Sequence, residues 1–298
     1  MSVLNTCRQL VSAVAITGLL AFTPALASEQ HGLVDSVGAL EARLEARVGL
    51  SVHDLETGRR WQYRADERFP LSSTFKTLAC AALLQRVDAG HESLDRRIRF
   101  AEVDLVSYSP ITEPRVGGEG MSLAELCQAT MSMSDNSAAN FILAALGGPQ
   151  AVTLFMREIG DPVTRLDRRE TELNESLPGD PRDSTSPNAM VASLRTLVLG
   201  EALSPDSRRQ LRQWLESNRV ADSLFRAAVP DTWVVGDRTG AGGYGSRSIT
   251  ALIWPPGRKP VIAALYITES TASFEARNDA IAEVGRLLVA EIMAGRKN

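Results

Sequence analysis

The sequence predicts a mixed α/β (α+β) protein in which a five-stranded antiparallel sheet with flanking helices adjoins an all-helical lobe. Three observations predict this fold class. Strand-like runs occur near both ends of the 298-residue chain, the middle reads almost entirely as helices and loops, and an amphipathic helix accompanies the strands at each end. One sheet assembled from both ends would carry these helices on one face and leave a cleft beside the helical lobe.

The two ends of the chain form the predicted sheet lobe, residues 28–64 and 217–298. Apolar side chains at three- and four-residue steps predict an amphipathic helix over residues 29–47. The predicted strands lie within residues 48–54, 60–64, 232–235, 248–254 and 261–268. A second amphipathic helix over residues 272–294 closes this lobe.

The middle of the chain, residues 65–216, forms the predicted helical lobe. Its helices are expected over residues 74–84, 136–146, 149–159, 187–199 and 205–215. A further helix begins at Ser122 with a capping-box sequence. Residues 161–187 are charged, contain prolines and show no periodicity, and a segment of this kind inside a compact domain is usually functional.

The first residues of the chain are typical of a signal peptide. One cation, Arg8, precedes a mostly apolar run over residues 10–22, and Ala25-Leu26-Ala27 supplies a small-x-small cleavage site. A membrane anchor is the alternative, but the run is shorter than the ~20 residues of a span. We therefore expect residues 1–27 to be removed and the mature chain to act in the periplasm, as a monomer without a membrane anchor.

Composition argues against several other functions. The chain is 44% hydrophobic and 23% charged, an ordinary globular balance, and its net charge is −4. Nucleic-acid binding calls for a basic surface, so we expect no nucleic-acid partner. The three histidines, His31, His53 and His91, lack metal-ligand spacing, and we expect neither a metal nor a cofactor.

The spacing Ser73-x-x-Lys76 is the feature around which a site can be built. Ser73 lies at the start of a predicted helix, where backbone amides and the helix dipole favour developing negative charge. Lys76 lies one turn further on, on the same face, where its amine could activate the hydroxyl. The simpler alternative is two surface residues that happen to be three apart. Of the three lysines, however, only Lys76 lies inside an apolar helical pattern.

Two further stretches could supply proton transfer and a water. Ser134 could pass a proton to a leaving group and Asn136 could hold a substrate carbonyl, although Ser134-Asp135-Asn136 could equally be a helix N-cap. Glu170 and Asn174 could hold a water between them with the carboxylate as general base. The alternative for that pair is an acidic surface loop.

A third stretch, residues 237–243, is expected at the start of a strand. Arg238 and Thr239 could grip a substrate carboxylate, and the glycines, such as Gly240, would let the backbone approach the substrate. An amide of this strand could join that of Ser73 in an oxyanion hole. A glycine-rich hairpin turn is the alternative.

Two pairings would brace these elements. Cys80 and Cys127 are the cysteines that follow the signal peptide, and they form either one disulfide or two buried free thiols. Arg168 and Asp183 bracket the segment that holds Glu170, and we expect them to pair and close it.

Together these stretches resemble the class A serine β-lactamases over essentially the whole mature chain. Residues 73–76 match the nucleophile motif, residues 134–136 the second motif, and residues 170–174 the loop with the deacylating glutamate. Arg238-Thr239-Gly240 stands where the family usually has Lys-Thr-Gly. The arginine is similar to that of the carbenicillin-hydrolysing subgroup.

The resemblance implies a function and further site residues. It implies β-lactam substrates that acylate Ser73, an oxyanion hole from the amides of Ser73 and Ala241, and no cofactor. It also implies that Arg247 helps bind the substrate carboxylate, that Tyr108 walls the cleft, and that the disulfide found in many members joins Cys80 to Cys127.

Two points qualify the resemblance. Thr171 stands where many members have proline after a cis bond, and we expect the Glu170–Thr171 bond to be cis because Glu170 must point at the water.

The rival functions are a penicillin-binding DD-peptidase and a β-lactam sensor, which would acylate Ser73 without fast turnover. Neither rival gives a reason for Glu170 and Asn174 at this spacing.

Overall fold

The structure is a computed structural model that describes residues 32–295, so the predicted signal peptide, residues 1–27, lies outside the described residues. Eight α-helices occur in the described range: α1 (Leu33–Arg43), α2 (Phe75–Asp88), α3 (Leu123–Met133), α4 (Asn136–Leu146), α5 (Pro149–Glu158), α6 (Pro187–Leu199), α7 (Pro205–Glu216) and α8 (Phe274–Ala294). The strands of this range are β1 (Arg47–Asp54), β2 (Arg60–Tyr63), β3 (Phe69–Pro70), β4 (Arg97–Ile98), β5 (Met121–Ser122), β6 (Ser184–Thr185), β7 (Val234–Ala241), β8 (Arg247–Trp254) and β9 (Val261–Thr268).

Five of these strands form one antiparallel sheet in the order β2-β1-β9-β8-β7. β1 pairs with β9 along its whole length, with Leu50 opposite Leu265, so the two ends of the chain meet inside the sheet. The predicted five-stranded sheet is therefore confirmed. The sequence did not predict the two-residue pairs β3–β6 and β4–β5, which contain too few residues for a periodic signal.

Both faces of the sheet are covered, and for this reason every residue of β9 is buried. On one face, Val37 of α1 and Ile281 of α8 pack in a core with Val48 and Leu265. The terminal helices thus share one face, as predicted. On the other face, Tyr266 joins the core that contains α2 and α6.

Helix α2 lies at the centre of that second core. Residues 75–84 are all buried. Apart from Lys76 and Thr77 they are apolar, and a helix with apolar side chains all round is packed on every side. Cys80 of α2 forms a disulfide with Cys127 of α3, with Cα atoms 5.9 Å apart. The disulfide is confirmed over the alternative of two free thiols, and it ties the helix that follows Ser73 to its neighbour.

Residues 161–186 form the predicted irregular loop between α5 and α6, broken only by a 3₁₀ turn at Glu172–Asn174 and by β6. Arg168 Nε donates to Asp183 Oδ2 at 2.6 Å, and Asp183 is 1% exposed. Asp183 Oδ1 accepts the backbone N–H of Arg168 at 2.9 Å. This buried carboxylate therefore holds the two sides of the loop together.

None of the single helices in residues 32–295 is long and apolar enough to cross a membrane. By length and composition, α4 and α5 would qualify only as a pair, and that pair is bent by 67°. Both helices contribute buried side chains, such as Ile142 and Phe155, to the core around α2.

Candidate active site

Ser73 lies in a 3₁₀ turn, Ser72–Thr74, that leads directly into α2. The turn is tightly built: Ser72 has a positive φ of 41°, and the Thr74 hydroxyl donates to the Leu71 carbonyl at 2.6 Å. The nucleophile candidate is 8% exposed and lines a cavity of about 320 Å³. Its backbone amide lies at the positive end of the α2 dipole, where an anion is stabilised.

Lys76, the second residue of α2 and one turn after Ser73, is fully buried and connects three candidate residues. Its Nζ donates to the Ser134 carbonyl at 2.8 Å, to Ser134 Oγ at 3.1 Å and to Asn136 Oδ1 at 2.7 Å. The same nitrogen lies 3.0 Å from Glu170 Oε1. Ser134 Oγ in turn donates to Ser73 Oγ at 3.1 Å, so a contact path from Lys76 to the nucleophile runs through Ser134.

Opposing effects set the pKa of Lys76. Burial lowers the pKa of its ammonium to about 8, the negative charge of Glu170 acts in the opposite direction, and the positive charge of Arg238 adds to the lowering. The ammonium therefore predominates at neutral pH, yet its pKa is close enough to neutral for the amine to take part in proton transfer.

The stretch 134–136 serves both as a cap and as part of the site. Ser134 ends α3 in the left-handed conformation, with φ 61°, which turns its hydroxyl toward Ser73. Asp135 is the N-cap of α4 and accepts the N–H of Ala138 at 2.8 Å. The N-cap interpretation is thus right for Asp135, whereas Ser134 and Asn136 contact Lys76.

Glu170 is held at both its backbone and its side chain. Its carboxylate accepts from Asn174 Nδ2 at 2.5 Å. Asn140 grips its backbone, since Oδ1 accepts the Glu170 N–H at 2.9 Å and Nδ2 donates to the Glu170 carbonyl at 2.8 Å. The Glu170–Thr171 bond is cis, as predicted.

Sequence reasoning missed Asn140, although a signal was present. It is a polar residue in the otherwise apolar stretch of α4, where side chains are mostly buried. A polar side chain in such a helix needs a hydrogen-bonding partner, and here that partner is the backbone of Glu170.

The stretch 237–243 lies at the end of a strand, so the prediction that it begins one is wrong. β7 starts at Val234 and ends at Ala241, opposite Arg247 of β8. Gly240 does allow the backbone of β7 to approach its neighbours closely. A Cβ at this position would lie 2.5 Å from Ser248 Oγ and 3.1 Å from the Leu71 carbonyl oxygen. This proximity brings β7 against the turn that carries Ser73.

Arg238 is fully buried behind this edge of the sheet. Burial lowers the pKa of its guanidinium to about 10, against the opposing charges of Asp237 and Glu170. Its Nη1 lies 3.5 Å from Asn218 Oδ1, whereas Nε and Nη2 find no hydrogen-bond partner among the described residues. The site therefore contains a buried positive charge with unused donors.

Arg247 lines the cavity, and its guanidinium contacts both α8 and β7. Its Nε donates to Asn278 at 2.7 Å, its Nη1 donates to the Gly240 carbonyl at 2.9 Å, and its guanidinium lies 4.8 Å from the Phe274 ring centroid. Burial lowers the pKa of Arg247 to about 10. Phe274 also lines the cavity; the sequence placed it in the apolar pattern of the last helix and did not indicate a role at the site.

The cavity collects most of the predicted site residues. Its lining includes Ser73, Tyr108, Ser134, Asn136, Asn174, Thr239, Gly240, Ala241 and Arg247. Lys76, Glu170 and Arg238 lie buried behind this lining. Tyr108 stands at the rim with 55% of its surface exposed. A larger cavity of about 510 Å³ between α3 and α7 contains none of these groups, so we place the chemistry in the smaller one.

We expect Lys76 to titrate near pH 8, and its pKa to fall further in a Glu170→Gln variant because the charge that favours the ammonium is removed. Lysine labelled with ¹³C gives only three Cε signals, from Lys76, Lys259 and Lys297. A Lys76→Arg variant identifies the relevant signal. A pKa that rises in Glu170→Gln would contradict the described balance of charges.

The chain matches proteins of known class along most of its length. The family model described as "Beta-lactamase enzyme family" matches residues 33–292. Beta-lactamase AER-1 of Aeromonas hydrophila is 51% identical over 266 residues, which cover 89% of this chain and 88% of that one. Beta-lactamase CARB-4 of Pseudomonas aeruginosa is 49% identical over 247 residues, which cover 83% and 85%.

Solved structures agree with this assignment. An ancestral class A β-lactamase of Gram-negative bacteria superposes with a TM-score of 0.85 at 57% identity, covering 87% of this chain and 99% of that one. The chromosome-encoded β-lactamase of Vibrio parahaemolyticus superposes with a TM-score of 0.85 at 47% identity, covering 87% and 98%. The chain therefore belongs to the beta-lactamase enzyme family, and within it to class A.

Proposed function

We propose that this enzyme opens the β-lactam ring of penicillins, including carbenicillin, through an acyl-enzyme on Ser73, and so confers β-lactam resistance. The observation that carries the proposal is the continuous path from Glu170 through Lys76 and Ser134 to Ser73. Family membership and the likeness to CARB-4 support the reaction and the substrate class.

In the first step, Ser73 Oγ attacks the β-lactam carbonyl carbon. The hydroxyl proton leaves toward the Lys76–Glu170 pair, and the amides of Ser73 and Ala241 hold the oxyanion. The ring C–N bond then breaks, and Ser134 passes a proton to the departing nitrogen and regains one from Lys76, which donates to its hydroxyl. The 3.1 Å contact between the two serine hydroxyls supports this role of Ser134.

In the second step, Glu170 takes a proton from a water that attacks the ester carbonyl. The ester C–O bond then breaks, and the proton passes to the departing Ser73 Oγ, which restores the free hydroxyl. Asn174 orients that water with Glu170. Its amide nitrogen is bound to the carboxylate, and its Oδ1 is buried without a hydrogen-bond partner among the described residues. This arrangement supports hydrolysis over the DD-peptidase and sensor alternatives, which would stop at the acyl-enzyme.

The remaining residues bind the substrate. Arg247 and the Thr239 hydroxyl face the cavity and would take the ring carboxylate, while Asn136 would take the side-chain amide carbonyl. Tyr108 would wall the cleft at its rim. The buried charge of Arg238, with its two unused donors, would favour substrates such as carbenicillin that carry a second carboxylate.

The site of action is part of the proposal. Export, cleavage near Ser28 and activity in the periplasm would follow from the N-terminal pattern, and we propose that the mature chain acts as a monomer. The Cys80–Cys127 disulfide supports an oxidising compartment.

The Glu170→Ala variant should form the acyl-enzyme and fail to hydrolyse it, with deacylation slowed by on the order of 10²–10⁴-fold. Intact-protein mass spectrometry after mixing with benzylpenicillin should show Ser73 heavier by one whole penicillin molecule. The parent enzyme serves as the control and should show no stable adduct. Turnover by the variant at the parental rate would disprove the role of Glu170.

The Arg238→Lys variant should lose more activity on carbenicillin than on ampicillin. A guanidinium can donate two parallel hydrogen bonds to the second carboxylate of carbenicillin, whereas an ammonium interacts with it only as a point charge. We expect the ratio of the two kcat/KM values to fall several-fold. An equal ratio in variant and parent would rule out a contribution of Arg238 to the second carboxylate, while leaving the acyl-enzyme mechanism untouched.

A further inference from the structure

A second cavity, of about 320 Å³, lies between the β1–β2 hairpin and α6. It shares no lining residue with the cavity at Ser73. His53 and Arg60 enter it from the hairpin, and Arg195 and Thr196 enter it from α6. Nothing in the proposed reaction uses these residues.

Three basic side chains converge on this cavity. His53 and Arg60 are directly opposite each other in the β1–β2 pair, which puts both side chains on the same face of the sheet. Arg195 reaches the same space from the helix that covers this face. Arg60 and Arg195 are exposed, and their two positive charges repel each other across the cavity mouth unless an anion lies between them.

The described protein offers these groups no compensating carboxylate. No aspartate or glutamate lines the cavity, and neither Arg60 nor Arg195 forms an ion pair or side-chain hydrogen bond within residues 32–295. Asp54, the neighbour of His53 in β1, is bound by Arg258 at 2.8 Å. At the carbonyl end of α6, Gly200 already accepts from Arg208.

The pKa of His53 is shifted by this environment. The imidazole is 8% exposed, and its other strand neighbour, Ile262 of β9, carries no charge. Burial lowers the pKa of His53, and the charges of Arg60 and Arg195 lower it further, against a smaller effect of Asp54. This environment therefore favours the uncharged imidazole, whereas a bound anion would favour its protonated form.

We propose that this cavity binds a small tetrahedral dianion, a phosphate or sulfate group, between Arg60, Arg195 and His53. Two guanidinium forks supply paired donors to such an anion, and the imidazolium supplies a further N–H. Because the anion draws a proton onto His53, binding strengthens as the pH falls.

Imidazole NMR of the full chain tests the proposal, since its three histidines give a simple spectrum and a His53→Gln variant assigns the signal. The probe is sulfate, which stays a dianion over the pH range used. The pKa of His53 is measured in chloride and again after sulfate has replaced the chloride at the same ionic strength. We expect sulfate to raise the pKa of His53 by about one unit or more, saturably.

An Arg60→Gln/Arg195→Gln double variant provides the decisive comparison. It should raise the pKa of His53 in chloride, because two like charges are lost, and abolish the response to sulfate. An Arg99→Gln variant, which removes an exposed arginine elsewhere, should respond like the parent. No sulfate response in the parent, or an equal response in the double variant, would overturn the site without bearing on β-lactam hydrolysis.

Discussion

The 3.0 Å contact between the buried ammonium of Lys76 and the buried carboxylate of Glu170 is the interaction on which the site depends. Removing either partner would leave an unpaired charge in the interior, at a cost of roughly 3–5 kcal/mol. Hydrogen bonds from Lys76 to Ser134 and Asn136 help satisfy the ammonium. The residues that carry out the proposed chemistry are thus also those that make the buried charges tolerable.

The fold brings this charge pair to the substrate from three directions. The 3₁₀ turn and the start of α2 supply Ser73 and Lys76, the loop closed by Arg168 and Asp183 supplies Glu170, and the edge strand β7 supplies the opposite wall. Gly240 allows β7 to approach the Ser73 turn, since any side chain there would collide with Ser248. Sheet, loop and helix therefore each fix one boundary of the cavity.

Local patterns in the sequence predicted most of the fold. The periodicity of α6 and the alternation of β1 extend over enough residues to be read directly, and the motif residues at 73–76 and 134–136 are contiguous. Apart from the cysteine pair and the motif residues, the sequence did not reveal contacts between distant residues. Asn140 forms hydrogen bonds to the backbone of Glu170, which is 30 residues away in the sequence. Phe274 contacts Arg247 because α8 packs beside β8. Residues 237–243 were expected to begin a strand, whereas residues 237–241 end β7, because the glycines there resemble a turn.

The most direct test of the central claim is a double-mutant cycle on kcat/KM for benzylpenicillin, with Lys76→Ala, Glu170→Ala and the combined variant. If the two charged groups act as one unit, the double variant should lose little more activity than the more damaging single variant. Losses that multiply, so that the two free-energy changes add, would show that Lys76 and Glu170 act independently and would contradict the account.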